Sequence, residues 1–331
     1  MTILDHDIAE APLHGFTESG DRAVVIEVGD VALVGAIDGL GHGPEASVAA
    51  DAALRALEEA PDAPLVELIA RCHDRLRETR GVAMSLARID AARASMSWIG
   101  VGNVEGVLVR ALAGGAAGDE SLTSRGGIVG YRLPPLQLRT HAIHPADTLV
   151  LATDGIKLGF RREVTPVRDL HQIAASIIDR WASGKDDACV VVARFRGERS
   201  EGTRIDVDDE TGVHEARIRA RDQARALGFS AADVEAIATA VSELARNILQ
   251  HASTGDIVLV PVHDGARHGL AVMARDRGPG IADVSLALQD GYSTRDSLGY
   301  GLPGARRLVD ELHVDTELGV GTIVTIKKWL R

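Results

Sequence analysis

The chain has few aromatic residues, only two cysteines, no long apolar run and no excess of positive charge. Phe, Trp and Tyr make up 3% of 331 residues. The cores must therefore be packed from Ala, Val, Leu and Ile, which the 45% hydrophobic content amply allows. Lys and Arg number 36 against 48 Asp and Glu, a formal charge of −12. That balance disfavours a nucleic-acid partner or an anionic membrane surface. No apolar run approaches the ~18–20 residues that span a bilayer. The opening MTILDHDIAE lacks the basic-then-apolar order of a secretory signal. Cys72 and Cys189 lie far apart in apolar text, and read as reduced core residues of a cytoplasmic protein. Only 11 prolines stand against 35 glycines, which hints at functional glycine loops.

Length suggests two domains. The polar, glycine-punctuated stretch RGERSEGTRIDVDDETG (196–212) is the best boundary. Before it, strands and helices alternate. Residues 23–38 read as a hairpin turning at Gly29-Asp30. Two helices follow, over 44–60 with Pro44 in the first turn and over 65–78. VAMSLARID, SMSWIGVGN and GVLVRAL read as one meander. DTLVLATD is a strand, LHQIAASIIDRWAS a helix and DACVVVARF a closing strand. After the boundary come a short strand, TRIDV, two successive helices, the second capped by Ser230, and a hairpin around Asp264-Gly265. A glycine-rich stretch, the helix LPGARRLVDEL and a last hairpin complete the chain.

Four aspartates of the first half fall at strand ends or turns: Asp21, Asp38, Asp154 and Asp186. Strand-end loops are where function is usually placed. Carboxylates brought together resist ionisation unless a cation sits between them. An all-oxygen set suits Mg²⁺ or Mn²⁺, and two such ions can activate a water and clamp a phosphoryl group. Gly39, after Asp38, would let its carbonyl turn toward a metal. Each Asp-Gly alone is an ordinary turn signal; the order D…DGxGHG…TDG…DDA is far more specific.

On those residues, with GVGNVEG (100–106) and RGGIVGYRLPPL (125–136), positions from about 16 to 195 resemble the metal-dependent PPM (type 2C-like) serine/threonine phosphatases, in the RsbX/RsbU/SpoIIE branch. The resemblance implies an αββα sandwich with two metal ions between its sheets. Asp38 would bridge the metals and Gly39 contribute its carbonyl. Asp154 and Asp186 would bind one ion, Asp21 would lie at the metal–water shell, and Asp187 would stand behind the ligands. His42 is either a proton donor to the leaving oxygen or a polar residue in a glycine turn, and the turn is favoured.

In the second half, SELARNILQHA places Glu243 and Asn247 on one helix face. Alone, such a pair is an ordinary solvated face. DRGPGI (276–281) follows an apolar strand: Asp276 can accept from an exocyclic amine, and Gly278 and Gly280 admit a flat base. GYGLPGARRL (299–308) can present backbone N–H groups to phosphates at a helix start. GVGT (319–322) leads into the last strand. Together these boxes resemble the GHKL (Bergerat) ATP-binding fold over about 203–331, nearest to the anti-sigma and RsbT-type serine kinases. The resemblance implies ATP and Mg²⁺, with Asn247 on the metal, Glu243 as general base and Asp276 on adenine. Gly278, Gly280, Gly299, Gly301, Gly304 and Thr322 would shape the nucleotide site. Tyr300 departs from the usual G-x-G in bulk, and Arg295, in the short lid QDGYSTRDSL, is a candidate for the γ-phosphate. VHEARIRAR (213–221) echoes a phospho-acceptor helix, but His214 opens the ATP domain's own first helix and is set aside.

The expected fold class is thus α/β (α+β): a phosphatase domain over 1–196, a linker over 197–202 and a kinase domain over 203–331. The expected function is a cytoplasmic switch that phosphorylates and dephosphorylates Ser or Thr of STAS-domain proteins, with a downstream phosphatase or sigma-factor regulator as a further partner. The alternative is a nucleotide-dependent partner-binding module that regulates its fused phosphatase.

Overall fold

The computed structural model describes residues 2–111, 119–165, 167–196, 203–264, 267–289 and 301–331. The chain divides into two compact units, Met1–Glu198 and Arg199–Arg331.

The first unit begins with β1 (Leu4–Ala11), β2 (Asp21–Val28) and β3 (Val31–Gly39). Helices α1 (Pro44–Glu58) and α2 (Leu65–Arg75) follow. Next come β4 (Val82–Asp90), β5 (Ser95–Val101), β6 (Glu105–Val109), β7 (Glu120–Leu122), β8 (Arg139–Ala142) and β9 (Thr148–Ala152). Helix α3 (Leu170–Trp181) and β10 (Ala188–Phe195) close the unit. The strands form two antiparallel sheets, ordered β1-β10-β9-β6-β7 and β2-β3-β4-β5-β8.

A core of mostly small aliphatic side chains joins the sheets face to face. Val34, Ala36 and Ala87 from one meet Leu149, Leu151 and Val191 from the other, with Trp98 as its large aromatic. Helices α1 and α2 cover the outer face of the second sheet, through Ala49, Ala53, Leu68 and Cys72. Helix α3 covers the outer face of the first, through Ile173, Ala174 and Ile177. The architecture is an αββα sandwich, as the resemblance implied.

Two details differ from the sequence reading. β1 pairs along its length with β10, although its text, LDHDIAEA, has no clean apolar alternation and gives no strand signal. It is an edge strand with an exposed charged face, a common way of blunting a sheet edge. The meander also breaks. β4 and β5 pair in one sheet, whereas β6 pairs with β9 in the other. The chain changes sheet at Gly102, whose φ of +94° and tight approach to Ala83 admit only glycine.

The second unit comprises β11 (Thr203–Val207), α4 (Glu210–Ala226), α5 (Ala231–His251), β12 (Gly255–Asp264), β13 (Arg267–Asp276), the single turn α6 (Val284–Ala287), α7 (Gly301–Leu308), β14 (Glu311–Glu317) and β15 (Gly321–Trp329). Its sheet runs β11-β12-β13-β15-β14, antiparallel throughout. One face is packed by Ala216 and Ala220 of α4, Val241 and Leu244 of α5 and Ala305 of α7, against Ile257, Leu259 and Val272. Ser230 caps α5 by accepting from the Asp233 N–H, and Asp209 caps α4 through Thr211 and Gly212. This is the helix-on-sheet sandwich expected of a GHKL-type domain. Among the described residues no helix is long and apolar enough to cross a membrane.

Candidate functional site

In the first unit the acidic residues gather at one end of the sandwich. Asp21 begins β2 and Asp38 stands near the end of β3, directly opposite in the ladder. Opposed residues of an antiparallel pair place their side chains on the same face. Asp21 is 2% exposed, and its Oδ2 is buried without a hydrogen-bond partner. Burial pushes Asp21 up to about 7, opposed by the Thr153 hydroxyl and reinforced by Asp187, Asp154 and Asp186. Burial, then Asp21, then the other three aspartates push Asp38 up to about 8. Asp154 follows β9 at the exposed rim; partial desolvation and Asp186 raise it, while the Asn103 amide, donating to Oδ2, opposes the rise. Asp21, Asp38 and Asp154 are thus each raised in part by the charge of neighbouring aspartates.

Asp187, whose charge adds to the rise at Asp21 and Asp38, also has a structural task. Its carboxylate accepts from the N–H of Leu13 and of Gly20, each at 2.7 Å, and so pins the loop that leads into Asp21. Close packing gives Gly39 a reason of its own to be glycine. A Cβ there would stand 2.4 Å from the Ala46 carbonyl and 2.8 Å from that of Gly20. The residue lets α1 close on the strand ends. His42 is exposed and rests on Phe16, ring centroids 5.1 Å apart.

The donor set fits a hard divalent cation. It is all oxygen, it carries mutual repulsion that a cation would relieve, and it includes one orphaned buried atom. The carboxylates are neighbours and not a finished cage: among the described residues, no three His, Cys, Asp or Glu converge closely enough to hold an ion as they stand.

The second unit holds a cavity of about 540 Å³, the size of a small-ligand site. Asn247 of α5, Asp276 at the end of β13, Gly280, Gly301 and Thr322 all line it. Burial raises Asp276, while the N–H groups of Gly278 and Thr322 and the nearby His251 lower it. The Gly278 N–H reaches Asp276 Oδ1 at 2.8 Å, so the aspartate is held in place. Gly280 has φ +76°, and a Cβ would lie 2.4 Å from the Glu317 carbonyl. A Cβ on Gly301 would lie 2.7 Å from Asn247 Oδ1; glycine brings the start of α7 against α5.

Glu243 does not line this cavity. It lies one turn before Asn247 and accepts from Arg246 at 3.3 Å. Gly278 and Gly304 also stand outside the lining. Gly299, Tyr300 and Arg295 lie outside the described residues, as does the 197–202 linker. His214 is exposed on α4. Sequence reasoning missed Asn103 and His251. Asn103 sits at the sheet change, which periodicity does not reveal. His251 lies one turn beyond Asn247 on the face of α5 already identified, and that spacing was the available signal.

Known proteins match both units. Residues 28–196 match the family model for stage II sporulation protein E (SpoIIE), and residues 207–328 that for the histidine kinase-like ATPase domain. The serine/threonine-protein kinase RsbT of Bacillus subtilis is 44% identical over 122 residues, covering 37% of this chain and 92% of RsbT. A solved structure from work on the bacterial stressosome is similar with a TM-score of 0.54 and 28% identity, over 58% of this chain and 99% of that one. The RsbU and RsbW domains of a Mycobacterium tuberculosis protein share the fold along 98% of this chain and 94% of theirs, with a TM-score of 0.51 and 17% identity. With half of its residues inside one match and nearly all of RsbT spanned by the other, the chain belongs to the SpoIIE family in its first unit and to the RsbT kinase family in its second.

Proposed function

We propose that the chain is a bifunctional switch in a bacterial stress-response pathway. The second unit transfers phosphate from ATP to a Ser or Thr of a STAS-domain protein, and the first unit removes it. What carries this reading is the presence, in one chain, of the mutually repelling Asp21–Asp38 pair and the Asn247–Asp276 cavity. RsbT's name, a serine/threonine kinase, supports the kinase half.

In the first unit Asp38, Asp154 and Asp186, with the Gly39 carbonyl and Asp21, would hold divalent cations. Bound there, two Mn²⁺ or Mg²⁺ would supply Lewis-acid activation of water and a clamp for phosphoryl oxygens. The chain's own part is to keep Asp21 and Asp38 side by side on paired strands, and to orient Asp154 through Asn103. Asp187 holds the approach loop by two backbone N–H groups.

In the second unit Asp276 would accept from the exocyclic amine of adenine, and Asn247 would hold the nucleotide's Mg²⁺. The protein substrate's hydroxyl oxygen attacks the γ-phosphorus and ADP departs. The hydroxyl proton passes to Glu243, which must leave Arg246 to take it. Phosphorylation adds about −1.5 to −2 charge to the STAS surface and weakens its contact with a partner; the phosphatase restores that contact.

The placement of Glu243 favours one second reading, in which the ATP-type unit binds nucleotide and a partner without transfer, and so governs the phosphatase. Incubation of a STAS protein with labelled ATP separates the two. Label on the protein, lost with Asn247→Ala, supports the switch. Tight binding without label supports the module. Phosphate release from the phosphorylated protein with Mn²⁺, lost with Asp38→Asn, tests the other half.

A further inference from the structure

Two loops leave the acidic site side by side and meet again at their tips. The loop from β1 ends at Asp21, and the loop after β3 begins beyond Asp38, its partner across the ladder. At the tips Phe16 packs against His42, centroids 5.1 Å apart and planes at 54°. Gly43 comes so close that a Cβ on it would lie 3.1 Å from the Phe16 ring. The first loop is closed at its base by one carboxylate, because Asp187 takes the N–H of both Leu13 and Gly20 at 2.7 Å. The ring is therefore carried on a loop fixed at both ends and supported on one side.

Its other side is open, for Phe16 is 41% exposed. Arg80, which lies against Gly41, pairs with Glu45. The chain holds only four phenylalanines, and this one is carried by the loop that leads into Asp21. An aromatic face backed by a second ring and open to solvent offers an apolar contact at low entropy loss.

We propose that Phe16, seated on His42, is a specificity-determining residue of the phosphatase site. Its open face receives an apolar side chain next to the phosphoserine or phosphothreonine of a polypeptide substrate. The inference rests on the phosphatase reading of the first unit and adds to it the kind of sequence that unit selects.

The test compares three substrates in Mn²⁺: a phosphoserine peptide flanked by leucines, the same peptide flanked by glycines, and free phosphoserine, which has the same scissile bond and no neighbours. The unaltered chain should favour the leucine peptide by about tenfold in kcat/KM, the scale of a small apolar pocket. Phe16→Ala should bring that ratio to within about twofold of unity, through KM, and Phe16→Leu should restore most of it. Hydrolysis of free phosphoserine should follow the unaltered chain in both variants. A ratio near one in the unaltered chain, a ratio that survives Phe16→Ala, or an equal fall on all three substrates would overturn the proposal. If the unaltered chain releases phosphate from none of them, the phosphatase reading fails first and the proposal with it.

Discussion

Asp21 and Asp38 keep their protons, without a cation, up to about 7 and about 8. Unfolded, each would lose its proton near the ordinary 3.8. The folded state therefore binds more protons between these limits, and its stability falls as pH rises through that window. Cation-free protein should melt at progressively lower temperature from pH 5 to pH 8, each retained proton contributing about 1.4 kcal/mol per pH unit. Asp38→Asn should flatten that slope in a melting series. Cations compete with those same protons, so Mn²⁺ affinity should climb over the same range, read by titration calorimetry at several pH values. At this scale the sequence was legible where residue type and loop position coincide: the four aspartates could be named because each lies at a strand end or beside one. Asn103 and Phe16 could not, because their roles come from contacts with residues far away in the chain, Asp154 and His42.

Elements were readable where pattern and burial agree. α5 has its Ser cap, its buried Val241, Leu244, Ala245 and Ile248, and its Asn247 face as the 3.6-residue period required. β1 was not readable, because an edge strand with charged outward residues has no clean apolar signal; Leu4 is buried while Asp5 is exposed. The change of sheet between β5 and β6 was hidden for another reason. The text on either side is equally apolar, and only the positive φ of Gly102 decides which sheet the chain joins next. Gly102→Ala should thus destabilise the first unit by about 2–4 kcal/mol, from left-handed strain and from a Cβ 2.3 Å from that of Ala83. A urea midpoint shift would show it; an unchanged midpoint would mean the crossing is not held there. Removing β1 would strip β10 of its partner along eight paired positions. It would also free Glu27, which accepts from the N–H of Ile3 and Leu4. Such a truncation should expose apolar surface and aggregate, seen as a shifted elution volume.

The whole chain joins two units, each with a core of its own. Each holds its candidate site within itself: Asp21, Asp38, Asp154 and Asp186 in one, Asn247, Asp276 and Thr322 in the other. Two sites built from separate residues should fail separately. Opposed activities running freely on one serine would only consume ATP, so the pathway needs either reciprocal control or distinct substrates. One STAS protein, given unphosphorylated with ATP to Asp38→Asn and phosphorylated to Asn247→Ala, distinguishes them by whether the same serine gains phosphate from the first and loses it to the second. The proposed switch requires that the first unit bind divalent cations through its carboxylates while the second binds a nucleotide. Calorimetric titration of the full chain with Mn²⁺ alone, and then with a nonhydrolysable ATP analogue in Mg²⁺, tests it directly. Both should bind, with Asp38→Asn losing only the Mn²⁺ sites and Asn247→Ala only the nucleotide. Absence of either ligand from the unaltered chain, or loss of both through a single substitution, would contradict it.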